Sequence, residues 1–394
     1  MNQSPFFIEI DTFSRMKEGE PICGDCFVTK KVKTEQRMVI VLSDGLGSGV
    51  KANVLGSMTA SMAANFIVQH EPVQRTATAI MKTLPVDSER QMSYATFTII
   101  DIRHDGETHI VEYGNPRCEI IGIDGVRTPE RKKVYVDEFA DESRVMFTFS
   151  FKAKKEDRIV FYSDGVTQAG MGSLNYPFGW EEGGVRTYLM NHLKDTPQIS
   201  ARDLVRKVVS HAVAKDYFAP KDDISCGVVY FRKPRKMLIC TGPPYHNEDD
   251  ARMADLLNRF DGKKVICGGT TARIVSRELN RDVKVGMVSE GGLPPSSKIE
   301  GFDLVTEGIL TLGRVTKLLD ELNSTTINGD GPAVEMIRQF FESDEIKFLV
   351  GTKINEAHQD PNLPVELEIR RNVVKKIVRL LEEKFFKEVT IQYI

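Results

Sequence analysis

The chain has 394 residues, 28% of them charged, and a formal net charge of -3. Its length exceeds that of a typical single domain and leaves room for two, each with its own core. The near-neutral balance and the absence of a long Lys/Arg block set aside nucleic acid and anionic membrane surfaces as partners, and no stretch approaches the ~18 apolar residues of a membrane span. A cytoplasmic protein is therefore expected. Its six scattered cysteines read as reduced thiols and not as a disulfide framework.

Residues 4–43 read as extended segments divided by turns, ending in the apolar strand Met38–Leu42 before Asp44. The period then changes. Val54, Leu55, Met58, Met62, Ala63, Phe66 and Ile67 recur at three and four residues and predict a helix over 50–68, with a second over 73–84. Alternation predicts strands at 93–102, 108–113, 117–123, 144–151 and 157–163. After Asp164 come a glycine-rich stretch, a helix near 200–214, the Asp222-Asp223 turn and a strand at 225–232. Elements arriving in runs favour an α+β layered fold over a doubly wound one.

Arg232-Lys233-Pro234-Arg235-Lys236 is a basic, proline-broken linker, and the grammar differs beyond it. Short apolar strands at 237–240 and 264–267, helices at 248–260 and 271–280, a strand at 302–306, helices near 309–322 and 332–343, a strand at 346–350, a helix at 365–385 and a strand at 388–393 predict a separate, smaller α/β domain over 234–394.

Four acidic motifs punctuate the first part: Cys23-Gly24-Asp25-Cys26, Ser43-Asp44-Gly45, Ser163-Asp164-Gly165 and Lys221-Asp222-Asp223-Ile224-Ser225. Asp44 and Asp164 each follow an apolar run and precede a glycine, so each carboxylate should stand at a strand end where the backbone turns sharply. Carboxylates gathered at strand ends suit hard divalent cations. On these motifs, residues 1–233 resemble the metal-dependent serine/threonine protein phosphatases of type 2C, in the bacterial branch typified by the sporulation stage II protein E phosphatase. One Asp-Gly alone means little; four motifs in order are specific.

The resemblance implies a four-layer α-β-β-α sandwich with metals in a cleft at one end. It implies a centre of two or more Mn2+ or Mg2+ ions held by Asp25, Asp44, the Gly45 carbonyl, Asp164 and Asp222, with Asp223 as helper or ligand. It implies a phosphorylated protein substrate, in this branch often a phosphorylated anti-sigma-factor antagonist within partner switching, and it leaves room for a homodimer; the alternatives are a phosphatase-fold sensor or scaffold with little catalysis, or a C-terminal domain with its own small-molecule activity. Two departures stand out. Leu46 occupies the place where animal members carry a proton-donating His, and the early phosphate-clamping Arg has only Arg15 or Lys17 as candidates, in no clear motif.

Three further features have competing readings. Cys23 and Cys26 are either small strand residues flanking a metal Asp or a redox pair whose closure would displace Asp25. The glycines of Gly47-Ser48-Gly49 are either part of the Asp44 turn or a phosphate loop. Gly268-Gly269-Thr270-Thr271, between a strand and a helix, is either a capped turn or a nest for a small anionic ligand, with the loops at Cys240, Glu290 and Thr306 converging on the same pocket. His246 and His358 are candidate ligands there, although lone histidines in polar loops are more often solvated.

Overall fold

Period-2 alternation on both sides of each strand builds the first unit. The computed structural model describes residues 6–394 apart from 33, 72–74, 77, 78, 81–94, 136–144, 287–292, 323–326, 354–364 and 386. The chain divides into two compact units, Met1–Lys233 and Pro234–Ile394.

The first unit contains, in order, β1 (Phe7–Arg15), β2 (Asp25–Val32), β3 (Arg37–Gly45), α1 (Gly49–Val68), β4 (Ala95–Arg103), β5 (Glu107–Tyr113), β6 (Glu119–Gly122), β7 (Gly125–Arg127), β8 (Lys132–Tyr135), β9 (Val145–Lys152), β10 (Arg158–Tyr162), α2 (Asp164–Thr167), α3 (Glu181–Asp195), α4 (Ala201–Lys215) and β11 (Ile224–Arg232). They form a six-stranded sheet, β2-β3-β4-β5-β9-β8, and a five-stranded sheet, β1-β11-β10-β6-β7. Every pairing is antiparallel.

Successive side chains of each strand point to opposite faces, and both faces are covered. Ile40 and Leu42 of β3 and Ile100 and Ile102 of β4 meet Ile159 and Phe161 of β10 and Val229 and Phe231 of β11 in an apolar layer between the sheets. Val39 and Val41 face outward onto Leu55, Ala60, Ala63, Ala64 and Ile67 of α1. Val160 and Tyr162 face Val185 and Leu189 of α3 and Leu204, Val205 and Val208 of α4. The result is the expected α-β-β-α layering, with each fully buried Val, Ile or Phe stabilising by about 1.5–3 kcal/mol.

The helix over 50–68 forms, with Leu55, Ala63 and Ile67 of the periodic set facing the sheet but the rest of the inner face shifted toward smaller residues. Val50, Val54 and Met58 are exposed, whereas Ala52, Gly56, Thr59, Ala60, Ala63 and Ala64 are buried. The cause is close approach: a Cβ on Gly56 would stand 2.6 Å from the Gly24 carbonyl oxygen, so small residues must face the sheet. The helix expected over 73–84 falls mostly outside the described residues.

The second unit carries β12 (Lys236–Thr241), α5 (Asp250–Arg259), β13 (Lys263–Cys267), α6 (Gly269–Leu279), β14 (Lys284–Val285), β15 (Ser297–Lys298), β16 (Leu304–Thr306), α7 (Ile309–Glu321), α8 (Pro332–Glu342), β17 (Glu345–Val350), α9 (Val365–Glu383) and β18 (Glu388–Tyr393). Its sheet runs β14-β15-β16-β13-β12-β17-β18, parallel from β16 to β18 with an antiparallel edge. Met253, Leu257, Ala272 and Val275 cover one face; Leu312, Val315, Met336, Phe340, Val374 and Ile377 cover the other. The chain moves from β12 to β13 and β16 in one direction, then to β17 on the opposite side of β12. In such sheets ligands bind beyond the carboxyl ends of the strands, where the winding reverses.

Candidate functional site

The four acidic motifs stand on four strand ends. Antiparallel register sets Asp25, which opens β2, directly opposite Asp44, near the end of β3, a spacing that brings Cβ atoms to about 4.5–5.5 Å. In the other sheet β10 and β11 are antiparallel neighbours, so Asp164, just after β10, and Asp222 and Asp223, just before β11, lie at one end. The Ser163 N–H donates to the Ser225 carbonyl at 3.0 Å and extends that pairing past the strand. Asp223 ties the two sheets together here: its Oδ2 accepts from the Gly24 N–H at 2.8 Å and its Oδ1 from the Lys17 N–H at 3.0 Å.

These carboxylates disfavour one another's charge. Asp25 is only 6% exposed, and neither of its oxygens has a hydrogen-bond partner. Burial first, then the charges of Asp223 and Asp164, raise its pKa to about 7; the nearby hydroxyls of Ser163 and Ser225 offset this only in part. Those hydroxyls are committed elsewhere, Ser225 Oγ to Ser14 Oγ at 2.7 Å and Ser163 Oγ to the Asp223 carbonyl at 3.3 Å. Asp44 is pushed up to about 10 by burial and then by the charges of Asp25, Asp164 and Asp222. Burial also raises Asp164 and Asp222, while Gln168 Nε2, 2.8 Å from Asp164 Oδ2, favours the charged form of Asp164. A nearby cation would favour the charged forms of these carboxylates.

Among the described residues, no group of three or more His, Cys, Asp or Glu side chains is already drawn into a set that could hold a metal ion. The donor set nonetheless fits a hard divalent cation: oxygen only, net negative, and with one buried carboxylate whose oxygens are orphaned.

Glycine follows Asp44 and Asp164 for a steric reason. A Cβ on Gly45 would lie 2.0 Å from the Ala52 carbonyl oxygen, and one on Gly165 would lie 2.1 Å from the Asp223 carbonyl oxygen. Gly47 and Gly49 adopt φ of 102° and 68° and complete the turn into α1. The start of that helix is already faced by an anion: Ser48 Oγ donates to Glu20 Oε1 at 2.7 Å. The turn reading therefore suits Gly47–Gly49 better than a phosphate loop.

Beside Asp223 opens a cavity of about 280 Å³ lined by Arg15, Lys17, Glu20, Val213, Phe218 and Pro220 among others. It contains both phosphate-clamp candidates. Sequence reasoning gave no role to Phe218, which is 76% exposed and, with Tyr217, holds a left-handed φ that non-glycine residues adopt rarely. Nor did it assign Ser163, Ser225 or Gln168, although the two serines lie within the acidic motifs.

Cys23 and Cys26 are free thiols. Burial, then the charges of Asp25 and Asp223, hold the Cys23 thiol above its ordinary range, and burial does the same for Cys26. Protonated thiols are poor attackers in disulfide exchange, which favours the structural reading. In the second unit, Gly268–Thr271 forms the turn from β13 into α6, with Gly268 at φ 135°. Glu290 and His358 fall outside the described residues.

Among known proteins, no curated sequence matches this chain. Solved structures resemble it at low identity. The phosphatase domain of the cell fate determinant SpoIIE from Bacillus subtilis has 15% identity, with 59% of this chain and 95% of that one covered and a TM-score of 0.44. The RsbU and RsbW domains of Rv1364c from Mycobacterium tuberculosis have 16% identity, 64% and 68% coverage and a TM-score of 0.44. RsbX in complex with magnesium has 19% identity, 57% and 95% coverage and a TM-score of 0.40. The model of the family described as stage II sporulation protein E matches residues 34–232, half of the sequence and all of the acidic motifs but Asp25. The chain therefore belongs to the stage II sporulation protein E (SpoIIE) family.

Proposed function

We propose that the first unit is a protein phosphatase acting on phosphoserine or phosphothreonine, with a centre of two or more Mn2+ or Mg2+ ions. The observation that carries this reading is Asp25, buried with two orphaned oxygens opposite Asp44 and near two further acidic strand ends. When bound, such ions supply an activated water and neutralise phosphoryl oxygens.

Asp25, Asp44, Asp164 and Asp222 are assigned as the side-chain ligands, with the Gly45 carbonyl beside them. Asp223 has both oxygens engaged by backbone N–H groups, which supports a positioning role: it fixes the entry to β2 and with it Asp25. Gln168 orients Asp164. Leu46 has no proton to give, so this chain places no side-chain acid after the Asp-Gly motif. Arg15 and Lys17, lining the cavity beside Asp223, are assigned to the substrate's phosphate or its acidic surroundings. By family, the substrate is a phosphorylated anti-sigma-factor antagonist in partner switching.

The test is phosphate release from a phosphoserine peptide. Release is expected only with added Mn2+ or Mg2+ and should stop on chelation; turnover that survives exhaustive chelation contradicts the assignment.

A further inference from the structure

The carboxyl edge of the second unit's sheet is lined by glycines. β12, β13 and β17 are each followed directly by a glycine, and register sets Thr241 of β12 beside both Cys267 of β13 and Val350 of β17, so Gly242, Gly268 and Gly351 leave the sheet at one edge. A Cβ on Gly242 would stand 2.6 Å from Arg370 Nη1, and one on Gly351 would stand 2.1 Å from the Pro243 carbonyl oxygen. Arg370 comes from α9 and is 9% exposed, so its guanidinium is a cation held inside the fold against Gly242. Its charge reaches both Cys240 and Cys267.

On the same edge α6 begins. The Gly268 N–H donates to the Thr306 carbonyl at 2.9 Å; the next three N–H groups have no acceptor within the helix. The cap residue, Gly268, has no side chain with which to cap them. Thr271 adds an independent observation: it is 1% exposed and its Oγ1 has no hydrogen-bond partner. The hydroxyl lies on the Gly268 turn, 3.3 Å from where a Cβ on that residue would be. One Glu307 carboxylate oxygen is engaged at the start of α7, where Oε2 accepts from the Leu310 N–H at 3.2 Å.

We propose that this edge, built from the Gly268–Thr271 turn, the Thr271 hydroxyl and the Arg370 guanidinium across Gly242, binds the phosphate group of a small phosphorylated molecule. A tetrahedral oxyanion has acceptors in several directions. Backbone N–H groups of the first helical turn, a hydroxyl and a planar guanidinium supply donors of three kinds to match them. The site lies in the second unit and does not depend on phosphatase activity in the first.

The experiment uses the full chain in excess chelator, titrated calorimetrically with inorganic phosphate and, separately, with a nucleoside 5′-monophosphate. Saturable binding of one phosphate group per chain is expected. Tighter binding of the nucleotide would assign a nucleoside phosphate, and equal binding the phosphate alone.

Thr271→Val should weaken binding about tenfold or more, because it removes a hydroxyl donor to a charged group. Without ligand the same variant should melt higher than the parent, because it removes a buried hydroxyl that has no partner. Thr271→Ser should keep most of the affinity. At Gly269 a Cβ would meet nothing within 4 Å, so Gly269→Val should fold and block the approach. The proposal is overturned if neither compound binds at millimolar concentration. It is equally overturned if Thr271→Val and Gly269→Val bind as the parent does, or if Asp44→Asn abolishes binding.

Discussion

Asp44 shows how much one residue's surroundings add to its motif. The Asp-Gly pair announces a turn, and the apolar run before it announces a strand end, but only the register against β2 reveals a second carboxylate directly opposite. Asp44→Asn and Asp164→Asn should each lower turnover by orders of magnitude while keeping the fold, since each removes a charge and almost no volume. Measured without metal, both variants should be at least as heat-stable as the parent, because burial already disfavours both carboxylates. Near-normal turnover in either variant at saturating metal would remove that residue from the centre. The separate duties of Asp222 and Asp223 were not legible in the sequence, because adjacent aspartates are chemically identical until the backbone decides which one meets Gly24 and Lys17.

At the scale of elements, the turns hold the site in place. Gly45 and Gly165 have carbonyl oxygens where a Cβ would stand, so Gly45→Ala or Gly165→Ala must shift either the turn or the partner strand. A loss of about 1–3 kcal/mol is expected, in line with other overpacked positions, with turnover falling further because the adjacent Asp moves with its turn. Chemical denaturation and peptide turnover check both; an unchanged midpoint would contradict the packing argument. Strands and long helices were readable because their hydrophobic periods are clear. Helix Glu181–Asp195 was hidden, since Gly183 and Gly184 fall in its first turn and only Val185 and Leu189 are buried. β14 and β15 span two residues each, too short for any period to register. For α1 the period was right and the face partly so: Leu55, Ala63 and Ile67 turn inward, but close approach to the sheet selects alanine and glycine over the larger Val54 and Met58.

For the whole molecule, the apolar clusters of each unit are drawn from its own residues, 6–231 and 237–394. The proline-broken basic segment marked the join in the sequence, and the alternation of short strands and helices beyond it marked a separate α/β domain, whose parallel pairing appears only in the structure. What the sequence left hidden was the meeting of Arg370 with Gly242, since 128 residues of chain separate them and only the winding of the sheet brings them to one edge. The site in the first unit has the same origin: its acidic motifs span residues 25 to 223, and the antiparallel pairing of two sheets gathers them. These carboxylates are proposed to hold divalent metal. Crystals of the full chain soaked in manganese and measured at the manganese absorption edge test it most directly. Anomalous density is predicted among Asp25, Asp44, Asp164 and Asp222; its absence there, or its appearance only at other sites, would contradict the account.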